Sequence, residues 1–285
     1  MTGGVQARPA GRLVDRALDY LESGPADSTA LVHDVLGVAS ASSPVAERLA
    51  NALLGSDPRV QRRFDARWEL VRQAAESPKL TECTFAVVDV ETTGSSPRRG
   101  DRVIEIAIAV LCGGSVKIAI DTLIDPERPI PSVITGVTRI TQEMIRGKPC
   151  FAEIASEVVG ALAGRIFVAH NIRFDWSFVS IEARRALDVT LDGPRLCTVQ
   201  LAKRLIPGLR SRSLDSVVRY LGIEIQNRHR AGGDAMATAL VLQRLLDLAG
   251  ERGIDTLRGL EELQQPRERK KRKKRRAFPT PMEEG

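Results

Sequence analysis

Apolar residues recur at helical spacing over residues 13–21 and again over 30–36, which predicts two short amphipathic helices. Ser43 followed by Pro44 supplies an N-cap and a first helical position for a third helix through residue 54. The stretch SDPRVQRRFDARWELV follows. Its Asp57-Pro58 turn and the apolar positions Phe64, Trp68 and Leu70 predict a small hairpin. Residues 1 to about 10, rich in Gly, Pro and Ala, read as loose chain.

After a linker, ESPKLTE, the period changes from helical to extended. Residues 84–90 form a compact apolar strand ending in acid, and residues 103–111 and 116–124 form two more, joined by a Gly113-Gly114 turn as a hairpin. The strand from Val103 carries Ile104, Ile106, Ile108 and Val110 on one face, while Glu105 interrupts the other. Short helical pieces are expected across IPSVITGVTRITQEMI, then a helix over 151–162, a strand over 165–169 and a helix over 172–187. A strand near 195–198, helices near 199–205 and 213–221, and a long helix over 234–248 complete the pattern. Antiparallel strands followed by alternating strand and helix imply an α/β domain, a mixed sheet covered by helices.

Length and apolar content, 285 residues and 43%, suffice for one main core and a smaller one. The expected division is a helical N-terminal domain over 1–80, a main domain over 81–250 and a disordered tail over 251–285. Three helices and a hairpin resemble a winged helix-turn-helix, though a helical cap on the main domain fits the same pattern. No apolar run approaches the ~20 residues of a membrane span, and no charged-then-apolar leader opens the chain. The expectation is a cytoplasmic protein with no membrane contact. Four cysteines stand far apart without a CxxC pair, which argues against structural zinc or a disulfide framework.

Charge is unevenly distributed. The run RERKKRKKRR, residues 267–276, carries a net +8 of the chain's +6, so the remaining residues sum to −2. Such a run cannot build a core and suits a phosphate backbone, bound by counterion release; a solubilising extension is the plainer alternative.

Three blocks carry candidate chemistry. In FAVVDVETTG, strand alternation sends Phe85, Val87, Asp89 and Glu91 to one face, setting two carboxylates side by side at a strand end. Like charges so placed raise one another's pKa unless a cation lies between them, and hard oxygen donors favour Mg²⁺ or Mn²⁺. In VAHNIRFD, His170 and Asn171 end a strand, and Asp175 shares a helix face with Phe178 and Val179, so it points inward. In HRAGGDAMAT, His229 precedes Asp234 by five residues across a Gly232-Gly233 turn, and Asp234 shares its face with Thr238, Val241 and Leu242. A histidine there can take a proton from a water.

DxE at a strand end, then HNxxFD, then HRAxxDA resembles the DEDDh branch of the DnaQ-like 3′–5′ exonucleases, the family of the proofreading epsilon subunit of bacterial DNA polymerase III. The resemblance covers residues 83–248. His229 selects this branch over the sister group with tyrosine near that position. The segment ITGVTRITQEMI is similar to the family's loop after the third strand, with Thr135 where many members have histidine. The resemblance implies a ribonuclease H-like fold with a five-stranded sheet of order 3-2-1-4-5. It also implies two Mg²⁺ or Mn²⁺ ions held by Asp89, Glu91, Asp175 and Asp234, with His229 as general base. The expected activity is release of nucleoside 5′-monophosphates from single-stranded or frayed 3′ ends, DNA favoured.

Around the terminal nucleotide, the turn at Thr92, Thr93 and Gly94 would approach the sugar, with His170 and Asn171 as supports. Phe174 would stack on a base or pack as a core aromatic. Two alternatives stand beside this reading. One is a catalytically silent nucleic-acid-binding or scaffold protein, and the other is an obligate proofreading subunit with a polymerase partner.

Overall fold

The computed structural model describes residues 4–9, 12–22, 24–71, 77–224 and 229–265. The N-terminal part comprises β1 (Gln6–Pro9), α1 (Arg12–Glu22), α2 (Ser28–Asp34), α3 (Ser43–Leu54), β2 (Val60–Arg62) and β3 (Trp68–Leu70). The three helices and the β2–β3 hairpin enclose their own core around Ala17, Leu31, Val32, Ala50, Leu54 and Trp68. The indole Nε1 of Trp68 donates to Ser28 Oγ at 3.0 Å, giving its buried polar atom a partner. Asp27 caps α2 by accepting from Ala30 N at 2.8 Å.

The second part follows as β4 (Thr84–Thr92), β5 (Val103–Cys112), β6 (Ser115–Leu123), α4 (Ser132–Thr138), α5 (Gln142–Ile145), α6 (Phe151–Leu162), β7 (Ile166–Ala169) and α7 (Ile172–Leu187). It ends with β8 (Val189–Asp192), β9 (Arg195–Cys197), α8 (Thr198–Leu205), α9 (Leu214–Leu221), α10 (Ala231–Gly250) and α11 (Leu257–Gln264). The main sheet runs β6-β5-β4-β7-β9, the expected order 3-2-1-4-5. Pairing is antiparallel from β6 to β4 and parallel from β4 through β7 to β9. Gly113 and Gly114 both take positive φ, 54° and 79°, as a two-residue hairpin turn requires.

Both faces of this sheet are covered. Phe85, Val87, Ala107 and Ala109 pack against α8, α9, α10 and α11, while Ala86, Val88, Ile106 and Ile108 pack against α6 and α7. Strand β4 is therefore central and dry on both sides, which is why residues 85–88 are apolar without alternation.

Three expectations change. The first ten residues are not loose throughout, because β1 pairs antiparallel with β8, a strand absent from the sequence reading. Val5 N donates to Arg165 O at 2.7 Å and Gly164 N to Val5 O at 2.9 Å. A Cβ on Gly4 would lie 2.0 Å from the Gly164 carbonyl carbon, so the approach demands glycine. Secondly, the linker is partly fixed: Lys79 bridges to Thr256, and Leu80 N donates to Asp255 O at 2.8 Å. Thirdly, the segment beyond residue 250 does not start as tail. Helix α11 buries Leu257 and Leu260 in the main core. Gln264 completes the free edge of β9, accepting from Cys197 N at 2.9 Å and donating to Arg195 O at 2.7 Å. The basic run 267–276 lies outside the described residues. Among the described residues no helix is long and apolar enough to cross a membrane.

Leu260, fully buried, gives a direct check on α11. Leu260→Ala should lower the unfolding free energy in urea by about 2–4 kcal/mol, whereas exposed Glu262→Ala should stay within about 0.5 kcal/mol of wild type.

Candidate active site

The site forms where β4 leaves the sheet. Asp89 and Glu91 extend from the face that packs on α10, and Asp234 comes down from the first turn of α10 onto the same face. One carboxylate oxygen from each of the three lies within 4.8 Å of the others. Asp234 is 95% buried, and Asp89 and Glu91 are half-buried. Three hard oxygen donors gathered this closely fit a divalent cation such as Mg²⁺ or Mn²⁺, whose charge would offset their mutual repulsion.

Asp175 enters from the opposite layer. It sits in the first turn of α7, buried over Phe178 and Val179, and its Oδ1 accepts from Val90 N at 3.3 Å. It is not one of the three clustered acids. Burial pushes its pKa up to about 7, against the opposing pull of the backbone N–H groups that its carboxylate accepts.

His229 lies on the turn that leads into α10, exposed, with φ of 63° in the left-handed region. The other block-two residues differ in disposition. His170 Nε2 donates to Arg212 O at 2.9 Å, so in the neutral ring Nδ1 accepts from Thr198 Oγ1 at 2.8 Å. Both ring nitrogens thus tie the end of β7 to α8 and to the loop before α9. Asn171 is exposed at the N-cap of α7 without a side-chain capping bond. Phe174 is half-buried against the α6–α7 core, its ring 5.0 Å from that of Phe178.

The turn after the acidic pair is held by its own side chains. Thr92 and Thr93 are buried; Thr92 Oγ1 donates to Gly94 O at 2.6 Å, and Thr93 Oγ1 accepts from Arg102 N at 3.0 Å. A Cβ on Gly94 would meet the Asp101 carboxylate at 2.4 Å, which explains the glycine. The hydroxyls are committed to the turn, and Thr93 N also donates to Arg102 O at 2.8 Å.

Sequence reasoning missed two ion pairs, each made by a buried glutamate with an arginine nearer the surface. Glu182 on α7 accepts from Arg102 Nε at 2.7 Å, locking the turn after Gly94 to α7. Its signal was available, since Asp175, Phe178, Val179 and Glu182 share one helix face. Glu105 on β5, 1% exposed, accepts from Arg230 Nε at 2.9 Å and from Ala231 N at 2.9 Å. That acid within the apolar run VIEIAIAV was legible as an interruption, but nothing in the sequence named its partner.

Comparison with known proteins bears on the same segment. Residues 86–242 match the model of the exonuclease family RNase_T. The chain is 37% identical over 194 residues to a DNA polymerase III PolC-type of Thermotoga maritima, covering 68% of this chain and 14% of that one. It is 36% identical over 181 residues to the 3′-5′ exonuclease DinG of Bacillus subtilis, covering 64% and 19% respectively. The chain therefore spans less than a fifth of the length of either relative. The crystal structure of E. coli exonuclease I with a dT13 oligonucleotide superposes with a TM-score of 0.50 at 20% identity, over 60% of this chain and 42% of that one. It shares the fold.

The raised pKa of Asp175 fixes the sign of a pH effect in chelator. Below the ordinary carboxylate range the group is protonated folded or unfolded and contributes nothing. Between that range and pH 7 the folded state holds the proton more tightly, so stability falls as pH rises and the full cost of the buried charge is present above pH 7. Asp175→Asn should therefore melt above wild type in EDTA at pH 8, by a margin that shrinks towards zero near pH 4. A margin independent of pH would contradict a buried, ionising carboxylate.

Proposed function

Because the chain belongs to the RNase_T exonuclease family, we propose that it is a metal-dependent 3′→5′ exonuclease that releases nucleoside 5′-monophosphates from nucleic-acid 3′ ends. The observation that carries this is the meeting of Asp89, Glu91 and Asp234 at one strand end inside the matched segment. Those three would hold a divalent ion, and Asp175, reaching the same strand end from the other layer, would support a second. The chemistry such ions supply is activation of water and neutralisation of charge on the phosphate.

The protein's own groups have separable tasks. His229, exposed on the turn that leads into α10 five residues before Asp234, would accept the proton of the attacking water. The buried Thr92–Gly94 turn would guide the terminal sugar with its main chain. Phe174 would present the half-exposed part of its ring to the terminal base, a contact worth about 1–3 kcal/mol. His170 would support this arrangement through its bonds to Thr198 and Arg212. Asn171, exposed beside it, would meet the substrate backbone. The N-terminal three helices and hairpin would act as a winged-helix-like holding module, and the basic run as a tether to the phosphate backbone.

A polymerase partner is a second reading, favoured by the likeness to a PolC-type polymerase. Co-purification with a polymerase would support it.

The test is digestion of a 5′-labelled single strand with Mg²⁺ or Mn²⁺, which should give a ladder shortening from the 3′ end and stop in EDTA. Asp89→Ala and Asp234→Ala should each lower the rate by more than about a hundredfold, and His229→Ala by about 10²–10⁴. An unchanged rate in Asp89→Ala would overturn the assignment. Matched DNA and RNA strands run side by side identify the preferred sugar. Truncation after residue 265 should weaken binding of long strands at low salt and spare hydrolysis of very short ones. Equal loss on both would remove the tether role.

A further inference from the structure

The turn carrying His229 is anchored by an ion pair between the buried Glu105 and the partly exposed Arg230. Glu105 stands on β5 directly opposite Glu91 on β4, so two carboxylates face each other across one rung of the sheet. Uncompensated, that pairing is repulsive. The compensation comes from Arg230, which donates to Glu105 Oε1 from Nε at 2.9 Å and from Nη2 at 2.5 Å. Glu105 Oε2 accepts from Ala231 N at 2.9 Å, so the same side chain caps the start of α10. On the other flank, the Asp121 carboxylate rests against Gly232, where a Cβ would lie 2.2 Å from Oδ2. Residues 230 and 231 are thus bonded to Glu105 on β5, with Gly232 lying close against Asp121 on β6, and this segment lies between His229 and Asp234.

We propose that Glu105 and Arg230 are positioning residues which set the place of the His229 imidazole over the Asp89–Glu91–Asp234 cluster. The assignment rests on the exonuclease reading above. Its physical basis is geometry. An ion pair adds little to folding stability, since desolvation of the buried acid and solvent screening of the exposed guanidinium offset the attraction. A guanidinium fork gripping one carboxylate does fix the main chain beside it in one register. His229 needs that constraint, because its left-handed backbone conformation is one that side-chain-bearing residues adopt only when neighbours impose it. Arg230→Lys would keep the charge and lose the fork, and Glu105→Gln would keep an acceptor for Ala231 N and lose the charge.

A double-mutant cycle with His229 tests the assignment. Glu105→Gln and Arg230→Lys should each reduce kcat on a single-stranded substrate by about ten- to a hundredfold with little change in KM. In a His229→Ala background both should cost almost nothing more, since the group they place is gone. Hydrogen exchange gives a readout independent of turnover: the Ala231 and Gly232 amides should exchange faster in Glu105→Gln in metal-free protein, while amides in β4 keep wild-type protection. Additive losses in the cycle, or unchanged exchange at Ala231, would overturn the positioning role and leave the exonuclease reading standing. A wild-type chain that releases no nucleotide, yet shows the faster exchange in Glu105→Gln, would instead overturn the exonuclease reading and leave the Glu105–Arg230 anchor in place.

Discussion

Carboxylates at the end of a central strand repel one another, and the way the protein contains that repulsion organises everything near them. Strand β4 is buried on both faces as far as Val88 and then turns acidic at Asp89 and Glu91. Asp234 is carried onto the same face by α10, while Glu105 faces Glu91 across the sheet. Such a concentration of negative charge in poorly solvated surroundings is costly unless cations sit among it. Arg230 supplies one fixed cation at the rear, its pKa raised chiefly by the bond to Glu105, with Asp121 and Glu91 adding to the rise and burial opposing it. In front, Asp89, Glu91 and Asp234 bring their carboxylates together as a donor set that fits a divalent ion.

The two helical layers contribute differently. α10 lies along β4 and β5 and delivers Asp234 and the His229 turn from one side. α7 comes from the other side with Asp175, tied to the β4 main chain through Val90. Neither layer holds a complete site. The two layers meet at the end of β4, so the placement of Asp175 relative to Asp234 depends on packing of both cores against that one strand. The buried Glu182–Arg102 pair does for the α7 side what Glu105–Arg230 does for α10, holding the turn after Gly94 against the helix.

Much of this was written in short-range pattern. The hairpin at Gly113-Gly114 and helices α6 and α7 are local consequences of periodicity and turn chemistry, while the order of the sheet was implied by the family resemblance that the three motif blocks carry; the structure places these elements as expected. What escaped was non-local. Glu105 is 125 residues from Arg230 and Glu182 is 80 from Arg102; a buried acid announces that it needs a partner but not which. β1 and β8 escaped because main-chain pairing makes no demand on composition, and a start rich in Gly and Pro reads as coil. α11 had its signal, with Leu257, Leu260 and Leu263 on one face, but the neighbouring basic run obscured it. The separation of Asp175 from the other three acids was equally invisible, since sequence fixes which way a residue faces along its own helix and not which layer that helix joins.

The β1–β8 ribbon has an evolutionary corollary. Because the joint is made of backbone bonds and two close glycine approaches, Gly4 to Gly164 and Gly193 to Val5, its exposed side chains Gln6, Ala7 and Asp192 can drift, while Val5 and Leu191 stay packed in the core. Insertion or deletion of a single residue before β1 or within the 163–165 bend would slide the ladder by one step and drive a Cβ into main chain. Length at this joint is therefore constrained along with the glycines that permit it.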